Sequence, residues 1–166
     1  MAFGQTGLPP KTGSGRLPNS FTVTADMTSA TWNTIASHEI ATVTGLVHFI
    51  IIPHCTSTLT DAADGASIQF GVEGSTAALI ASTGAAGAGA NTIATNEFWL
   101  DATPADLVTN RTAEDALEFW VDGGLDVGYE ITGAALTGGT LKFEVFWEPG
   151  DSAGAGTVAA GAGGSL

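Results

Sequence analysis

The sequence predicts an all-β protein, in which a single-domain antiparallel β-sandwich or jelly-roll-like body lies between two extended arms. Apolar and polar residues alternate with a period of two along several short segments, as in half-buried strands. Glycine-rich turns separate these segments, and none of them carries the sustained 3.6-residue apolar stripe of a long helix. We place the N-terminal arm at residues 1–20, the body at 21–150 and a Gly/Ala-rich tail at 151–166.

The N-terminal arm has no repeating apolar pattern and is interrupted by glycine and proline in GLPP, KTGSGR and LPNS. A terminus of this composition stays disordered unless another surface binds it. Two of the four cationic side chains of the whole chain, Lys11 and Arg16, lie in this arm. We therefore expect the arm, and the tail SAGAGTVAAGAGGSL, to become ordered against neighbouring chains.

The body begins with two short predicted strands, from Phe21 to Ala25 and from Glu39 to Thr44. The next segment, from Leu46 to Ile52, is apolar on both of its sides. A run of this kind is typical of a central strand whose two faces are both covered. We expect a second sheet on one face and a neighbouring subunit on the other.

Four later segments, 68–73, 117–121, 125–132 and 141–148, alternate clearly and predict strands with one buried face. The residues expected to face the core are Ile68, Phe70, Val72, Leu117, Phe119, Val121, Leu125, Val127, Tyr129, Ile131, Leu141, Phe143, Val145 and Trp147. Glycine marks a predicted turn at 64–65, a tight hairpin at 122–124 and a further turn at 137–139. The low-complexity stretch 83–90 is predicted to be a loop. The pattern does not specify the order of the strands.

The charge of the chain limits its partners. Its net charge of −13 disfavours nucleic acid and anionic membranes, because both are bound mainly through Lys and Arg. The longest apolar run is far shorter than the roughly 20 residues needed to span a bilayer. The single cysteine, Cys55, excludes an intrachain disulfide, and no signal peptide is visible, so we expect synthesis in a reducing cytoplasm.

Catalytic and metal-binding motifs are absent from the sequence, which predicts no enzyme, no metal and no cofactor. Pro53 is expected to interrupt the strand between His48 and His54, so that these histidines and Cys55 do not form a metal site. The Asp-Gly pairs at 61–65 and 122–126 are interpreted as turns rather than calcium sites. A glycosidase-like carboxylate pair remains a remote alternative. Its candidate members are Glu118, Glu130, Glu144 and Glu148.

Two aromatic residues occupy outward positions in predicted strands. Trp120 lies between Glu118 and Asp122, and Phe146 lies between Val145 and Trp147 on the last strand of the body. An outward aromatic side chain flanked by carboxylates is an anchor at a protein interface, a platform on which a sugar stacks, or a residue covered by the chain's own loops. We favour the interface.

Three segments together give the chain a resemblance to a known class of protein: HEIATVTGLVHFIIIP, LTDAADGASIQFGVEGS and DALEFWVDGGLDVGYEITGAALTGGTLKFEVFWEP. They resemble the decoration, or cement, proteins of tailed-bacteriophage heads, in texture and size rather than in a diagnostic motif. The resemblance implies a non-enzymatic homotrimer on the outer surface of the virion. It also implies that arms extend over neighbouring subunits of the major capsid protein.

These considerations assign partner-binding roles to residues of the arm and of the body. Capsid grooves are expected to receive the apolar arm residues Phe3, Leu8, Pro9 and Leu17, while Lys11 and Arg16 meet acidic residues of the shell. The bodies are expected to meet one another through Trp120, Phe146 or the 46–52 region. The alternative is a carbohydrate- or receptor-binding β module of a tail fibre or surface appendage, with Trp120 as its sugar platform.

Overall fold

The computed structural model describes residues 19–86, 92–106, 117–150 and 155–166. These ranges contain eleven β-strands and no helix. The strands form two antiparallel sheets, which enclose one hydrophobic core between them. The predicted all-β sandwich is therefore confirmed. The arm residues Phe3, Leu8, Pro9, Lys11, Arg16 and Leu17 lie outside the described ranges.

The six-stranded sheet has long β3 (Val47–Asp61) at its centre. On one side β3 pairs with β10 (Leu136–Pro149), which in turn pairs with the edge strand β1 (Asn19–Asp26). On its other side β3 pairs first with β8 (Leu117–Val121) and then, further along, with β6 (Glu97–Phe98). The short strand β7 (Ala105–Asp106) pairs with β6.

The five-stranded sheet has the order β11-β2-β9-β4-β5. Its strands are β11 (Thr157–Ala160), β2 (Ser37–Thr44), β9 (Val127–Thr132), β4 (Ser67–Val72) and β5 (Ser75–Gly84). The sequence did not predict β5, whose exposed positions carry small residues. The predicted loop at 83–90 overlaps the end of β5, and 87–91 lie outside the described ranges.

The core lies between the inward faces of the two sheets and is rich in aromatic rings. Phe143 of β10 stacks on Phe70 of β4 at 5.7 Å and on Tyr129 of β9 at 5.8 Å between ring centroids. All three side chains are fully buried. Full burial of an aromatic or aliphatic side chain of this size contributes about 1.5–3 kcal/mol to folding. Alternation therefore predicted the inward faces of β4, β9 and β10 correctly.

Two buried polar groups are accommodated within this core. The hydroxyl of Tyr129 donates a hydrogen bond of 2.7 Å to the carbonyl oxygen of Trp32, and burial raises the pKa of Tyr129 above its ordinary value. Cys55 is fully buried on β3, and burial raises the pKa of its thiol to about 11. A thiol of this kind reacts slowly, because the thiolate is the nucleophile.

Three local predictions are wrong, and only the first of them because the chain crosses between the sheets. The sequence at 122–124 is not a hairpin, since β8 and β9 lie in different sheets. The sequence at 137–139 lies inside β10 at an irregularity of register, where Gly139 has a φ of +102°. Leu125 does not face the core but is 39% exposed, because β9 begins only at Val127.

Strand β3 continues through Pro53, contrary to the prediction. Proline lacks the N–H that a paired strand position needs. The carbonyl oxygen of Pro53 accepts a hydrogen bond from the Trp99 amide, so the missing N–H lies on that same side of β3. On that side, β8 pairs with β3 as far as Ile51 and β6 pairs with it at His54. Pro53 lies between these two pairings, so its missing N–H does not interrupt either of them. His48 and His54 consequently face the same side of the sheet.

The boundaries of both arms need correction. Strand β1 begins at Asn19, which pairs with Trp147, so residues 19–20 belong to the body. The tail is not an arm over residues 155–166, because β11 pairs with β2. Beyond β11 the amide of Leu166 donates a hydrogen bond of 3.2 Å to the hydroxyl of Ser37. Backbone pairing holds this tail on its own body although it offers few large apolar side chains.

Candidate functional site

The outer face of the six-stranded sheet carries four apolar side chains that point away from the core. We call them the outer stripe, and they are Ile50, Ile52, Trp120 and Phe146. Ile50 pairs with Phe146 across β3 and β10, and Ile52 follows on the same face of β3. Trp120 is 59% exposed, and none of the four belongs to the core cluster. Trp120 and Phe146 therefore point outward, as the alternation predicts.

Beside the outer stripe lies a polar group that we call the His48 cluster, formed by His48, Glu118, Glu148 and Trp120. His48 Nε2 lies 2.9 Å from Glu118 Oε1, and His48 Nδ1 lies 3.4 Å from Glu148 Oε1. The ring of Trp120 stacks on the imidazole at 4.6 Å, and His48 is only 4% exposed.

Strand pairing explains why these side chains meet. Trp120, His48 and Glu148 occupy one row across β8, β3 and β10. Directly opposite residues on one face of a sheet have their Cβ atoms about 5 Å apart, which is within contact distance for these side chains. The edge of the Trp120 ring also lies close to Gly150, where a Cβ atom would sit 2.6 Å from Trp120 Cζ3. The exposed indole is thus held in a defined position.

The opposite end of the same face is also polar. Glu144 accepts a hydrogen bond of 2.7 Å from the Thr22 hydroxyl and pairs with Lys142 at 2.5 Å. The hydrogen bond from Lys142, followed by that from Thr22, lowers the pKa of Glu144. Lys142 is therefore already paired with a carboxylate of its own chain.

His54 lies on the same face. Its ring stacks on Phe98 at 4.9 Å between centroids, and its buried Nε2 atom has no hydrogen-bond partner within the described residues.

The structure separates Glu130 from the other three candidate catalytic carboxylates. Glu118, Glu144 and Glu148 lie on the outer face of the six-stranded sheet. Glu130 lies on the five-stranded sheet, where Gln69 and Thr76 donate hydrogen bonds to it at 2.7 and 2.5 Å. A glycosidase needs two carboxylates on either side of one bond, so a pair that includes Glu130 does not fit.

Metal ligands do not gather in the described residues, where no group of three or more His, Cys, Asp or Glu side chains is placed to hold an ion. Although His48 and His54 face the same way, each is stacked on a different aromatic ring. The carboxylate of Asp61 accepts hydrogen bonds from the amides of Asp64, Gly65 and Ala66 at 2.6–2.9 Å. These hydrogen bonds from backbone amides stabilise a turn and occupy the carboxylate oxygens of Asp61.

Comparison with known proteins identifies no related protein. No family model matches this sequence, and neither a curated protein nor a solved structure shows significant similarity to it. The part of the chain that the structure describes contains no apolar helix of membrane-spanning length.

The sequence pattern identified Trp120 and Phe146 but not the His48 cluster. Trp120 and Phe146 carried a local signal, since each occupies an outward position between inward ones. His48 and Glu148 lie far apart in the chain, and only the pairing of β3 with both β8 and β10 brings them to Trp120. A prediction of strand order would have been needed to find them.

Proposed function

We propose that this protein is a non-enzymatic structural component of a virion, a decoration protein that binds the outer surface of a phage head. The observation that carries the proposal is the outer stripe, an apolar and aromatic surface on one sheet of the sandwich, in which Trp120 is exposed and the other three side chains are half-buried. In this proposal the bodies meet as a trimer through Trp120 and Phe146. The arm extends from the body to the major capsid protein.

The chemistry of the outer stripe supports a binding role. A Trp side chain that is 59% exposed and fixed on a buried histidine loses little conformational freedom when a partner covers it. Fixed aromatic anchors surrounded by polar groups are typical of the residues that dominate protein interfaces. Burying apolar surface contributes about 25 cal/mol per Å² of surface removed from water.

The arm supplies the second part of the proposal. Each arm residue loses about 1–2 kcal/mol of backbone freedom when it becomes ordered, so the arm needs apolar anchors on the shell. Phe3, Leu8, Pro9 and Leu17 are the candidates, and Lys11 and Arg16 are suited to acidic residues of the capsid surface. The acidic body favours an arm whose charge differs from its own.

The test measures occupancy on shells that lack the protein. The full chain, a chain without residues 1–18 and the Trp120→Ala variant are each added to such shells, and bound protein is quantified after sedimentation. We expect loss of the arm to abolish binding. Trp120→Ala should weaken it about 30-fold, which corresponds to about 2 kcal/mol for an anchor residue.

The matched control is Gln69→Ala, on the outer side of the other sheet, which should bind like the unchanged protein. Circular dichroism checks that each variant is folded. Unchanged occupancy of both the truncated chain and Trp120→Ala would rule the proposal out.

A carbohydrate- or receptor-binding module is the second candidate, because Trp120 is flanked by the carboxylates of Glu118 and Glu148. Stacking of a sugar on an indole beside hydrogen-bonding carboxylates is a common mode of recognition. Binding to a glycan array that disappears in Trp120→Ala, together with no binding to shells, would favour this candidate. Shell binding without any glycan signal would exclude it.

A further inference from the structure

We propose that Asp122 and Gly123 form a site of spontaneous covalent modification, at which the aspartate converts to isoaspartate through a cyclic succinimide. The site lies on the exposed connection between β8 and β9, where the chain passes from one sheet to the other. The reaction needs only water, so the inference does not depend on the proposed function.

The contact between the two residues brings the reacting groups together. The amide nitrogen of Gly123 donates a hydrogen bond of 2.9 Å to Asp122 Oδ1. Because Oδ1 is bonded to the Asp122 Cγ atom, the same contact holds the nitrogen beside the carbon that it must attack. Groups held in such a near-attack arrangement react much faster than groups that meet only by chance.

Packing of the main chain keeps the nitrogen in this place. A Cβ atom at Gly123 would lie 2.3 Å from the Gly45 nitrogen, so the main chain of Gly123 rests directly on that of Gly45. The next amide, that of Gly124, donates a hydrogen bond of 3.2 Å to the carbonyl oxygen of Val43. Asp122 is itself exposed, so water can leave the site and return to it during the reaction.

The chemistry balances with water alone. The Gly123 nitrogen forms a bond to Asp122 Cγ and gives up its proton. One oxygen of the carboxylic acid leaves as water, with the electron pair of the broken C–O bond, this proton and the proton of the acid. Water then opens the succinimide at one of its two carbonyl carbons. Opening at Cγ restores aspartate, whereas opening at the main-chain carbonyl leaves the chain running through Cγ, which is isoaspartate.

The other Asp-Gly pair of the chain, Asp64-Gly65, is also exposed but is arranged differently. The Gly65 amide donates its hydrogen bond of 2.9 Å to Asp61 Oδ2. The neighbouring amides of Asp64 and Ala66 bond to the same Asp61 carboxylate. The nitrogen at this site therefore faces a carboxylate with which it cannot close a succinimide ring. The same dipeptide should react slowly here.

Isoaspartate at position 122 would alter the connection between the two sheets. It adds one carbon atom to the main chain directly after β8, the strand that carries Trp120. Gly123 has no room to move toward Gly45, so the added length has to be taken up on the solvent side of the connection. Modified and unmodified chains would thus differ beside the outer stripe.

Peptide mapping of the full chain tests the inference. The folded protein is kept at physiological temperature and neutral pH for several weeks and is then digested, and the aspartate and isoaspartate forms of each peptide are separated by chromatography. We expect isoaspartate to accumulate at least about tenfold faster at position 122 than at position 64, because the reacting groups are held together only at 122. Equal rates at the two positions, or no isoaspartate at 122, would overturn the inference.

Two controls separate the effect of the structure from that of the dipeptide. In guanidinium chloride, where the fold is lost, the two positions should react at similar rates. A preference for 122 as large as in the folded chain would assign it to the local sequence and overturn the inference.

The variant Asp122→Glu keeps the charge but lengthens the side chain, so ring closure becomes far slower and the isoaspartate signal of this peptide should disappear. Circular dichroism checks that the variant is folded. A signal that persists in the variant would arise from Asp126 and would also overturn the inference.

Discussion

The two sheets of the sandwich present opposite kinds of outer face. The six-stranded sheet exposes the outer stripe, with Trp120 as its most accessible member. The five-stranded sheet exposes polar side chains that bind one another, since Gln69 and Thr76 both donate to Glu130. Both faces belong to strands of similar alternation, yet among the large hydrophobic side chains of the strands only Trp120, on the six-stranded sheet, is exposed within the described residues.

This difference shows where a partner can contribute free energy. Polar side chains on the five-stranded sheet already bond one another, so a partner that covers them gains little from new polar contacts. Apolar side chains on the six-stranded sheet gain from removal from water without losing such bonds. A contact on the six-stranded face is therefore the favoured mode of association.

The largest expected effect comes from comparing two phenylalanines on one strand. Phe143 and Phe146 both belong to β10, but Phe143 faces the core and Phe146 faces outward. Phe143→Ala should lower the free energy of unfolding by about 3–5 kcal/mol, because it leaves a cavity between Phe70 and Tyr129. Phe146→Ala should change it by less than about 1 kcal/mol. Urea denaturation monitored by fluorescence measures both.

The two phenylalanine variants should differ in the opposite order in their effects on self-association. Phe146→Ala should weaken self-association, while Phe143→Ala should do so only as far as it unfolds the protein. A loss of stability in Phe146→Ala as large as in Phe143→Ala would mean that the outer stripe belongs to the core. The comparison of the two faces would then fail.

A smaller effect is expected on the five-stranded sheet. Glu130→Ala removes the acceptor for Gln69 and Thr76 at a partly buried position, which should cost about 1–2 kcal/mol of stability. Thermal unfolding measures this loss. Under the proposed function, association and shell binding should not change, because docking is assigned to the six-stranded face. Weakened binding in folded Glu130→Ala would show that the five-stranded face also takes part.

The smallest effects concern pH and have opposite signs at two carboxylates. The pKa of Glu144 is lowered from 4.5 by hydrogen bonds from Lys142 and Thr22. Its contribution to stability is therefore present above pH 4.5 and is lost as the pH falls below that value toward the folded pKa. Glu144→Gln should be less stable than the unchanged protein at pH 7, by less than about 1 kcal/mol, and this difference should shrink below pH 4.5.

Asp126, which precedes β9, provides the contrast. Burial, followed by the charges of Glu39 and Glu73, raises the pKa of Asp126 from 3.8. Its ionised form is destabilising, and the penalty develops as the pH rises from 3.8 through the folded pKa. Asp126→Asn should therefore increase stability at pH 7 and have no such effect below pH 3.8. Denaturant titrations at several pH values measure both variants, and equal signs would contradict the assignment.

The sequence predicted the elements with a strong two-residue period and missed those without one. The alternation at 141–148 and 68–73 correctly identified β10 and β4 and the faces that they bury. Strand β11 was missed because Val158 is the one larger apolar side chain in Thr157–Ala160, too little to form an alternating pattern. Such strands form through backbone pairing with a neighbour, which a local pattern does not report.

The candidate site was predictable in its exposed members only. Trp120 and Phe146 could be recognised because alternation decides which way each side chain points. Their neighbours could not, since β3 lies between β8 and β10 although all three are distant in the chain. The roles assigned to the residues of the arm, Phe3 to Leu17, stay predictions.

The repeated crossing between sheets has a consequence for how the chain acquires its structure. In the described residues, β4–β5 and β6–β7 are the only consecutive strands that pair with each other. Strands β1 and β3 both pair with β10, which lies far along the chain. Contacts between such distant segments slow folding to the millisecond-to-second range that is typical of sandwiches. A nascent chain on the ribosome therefore cannot close the six-stranded sheet until Leu136–Pro149 has left the exit tunnel.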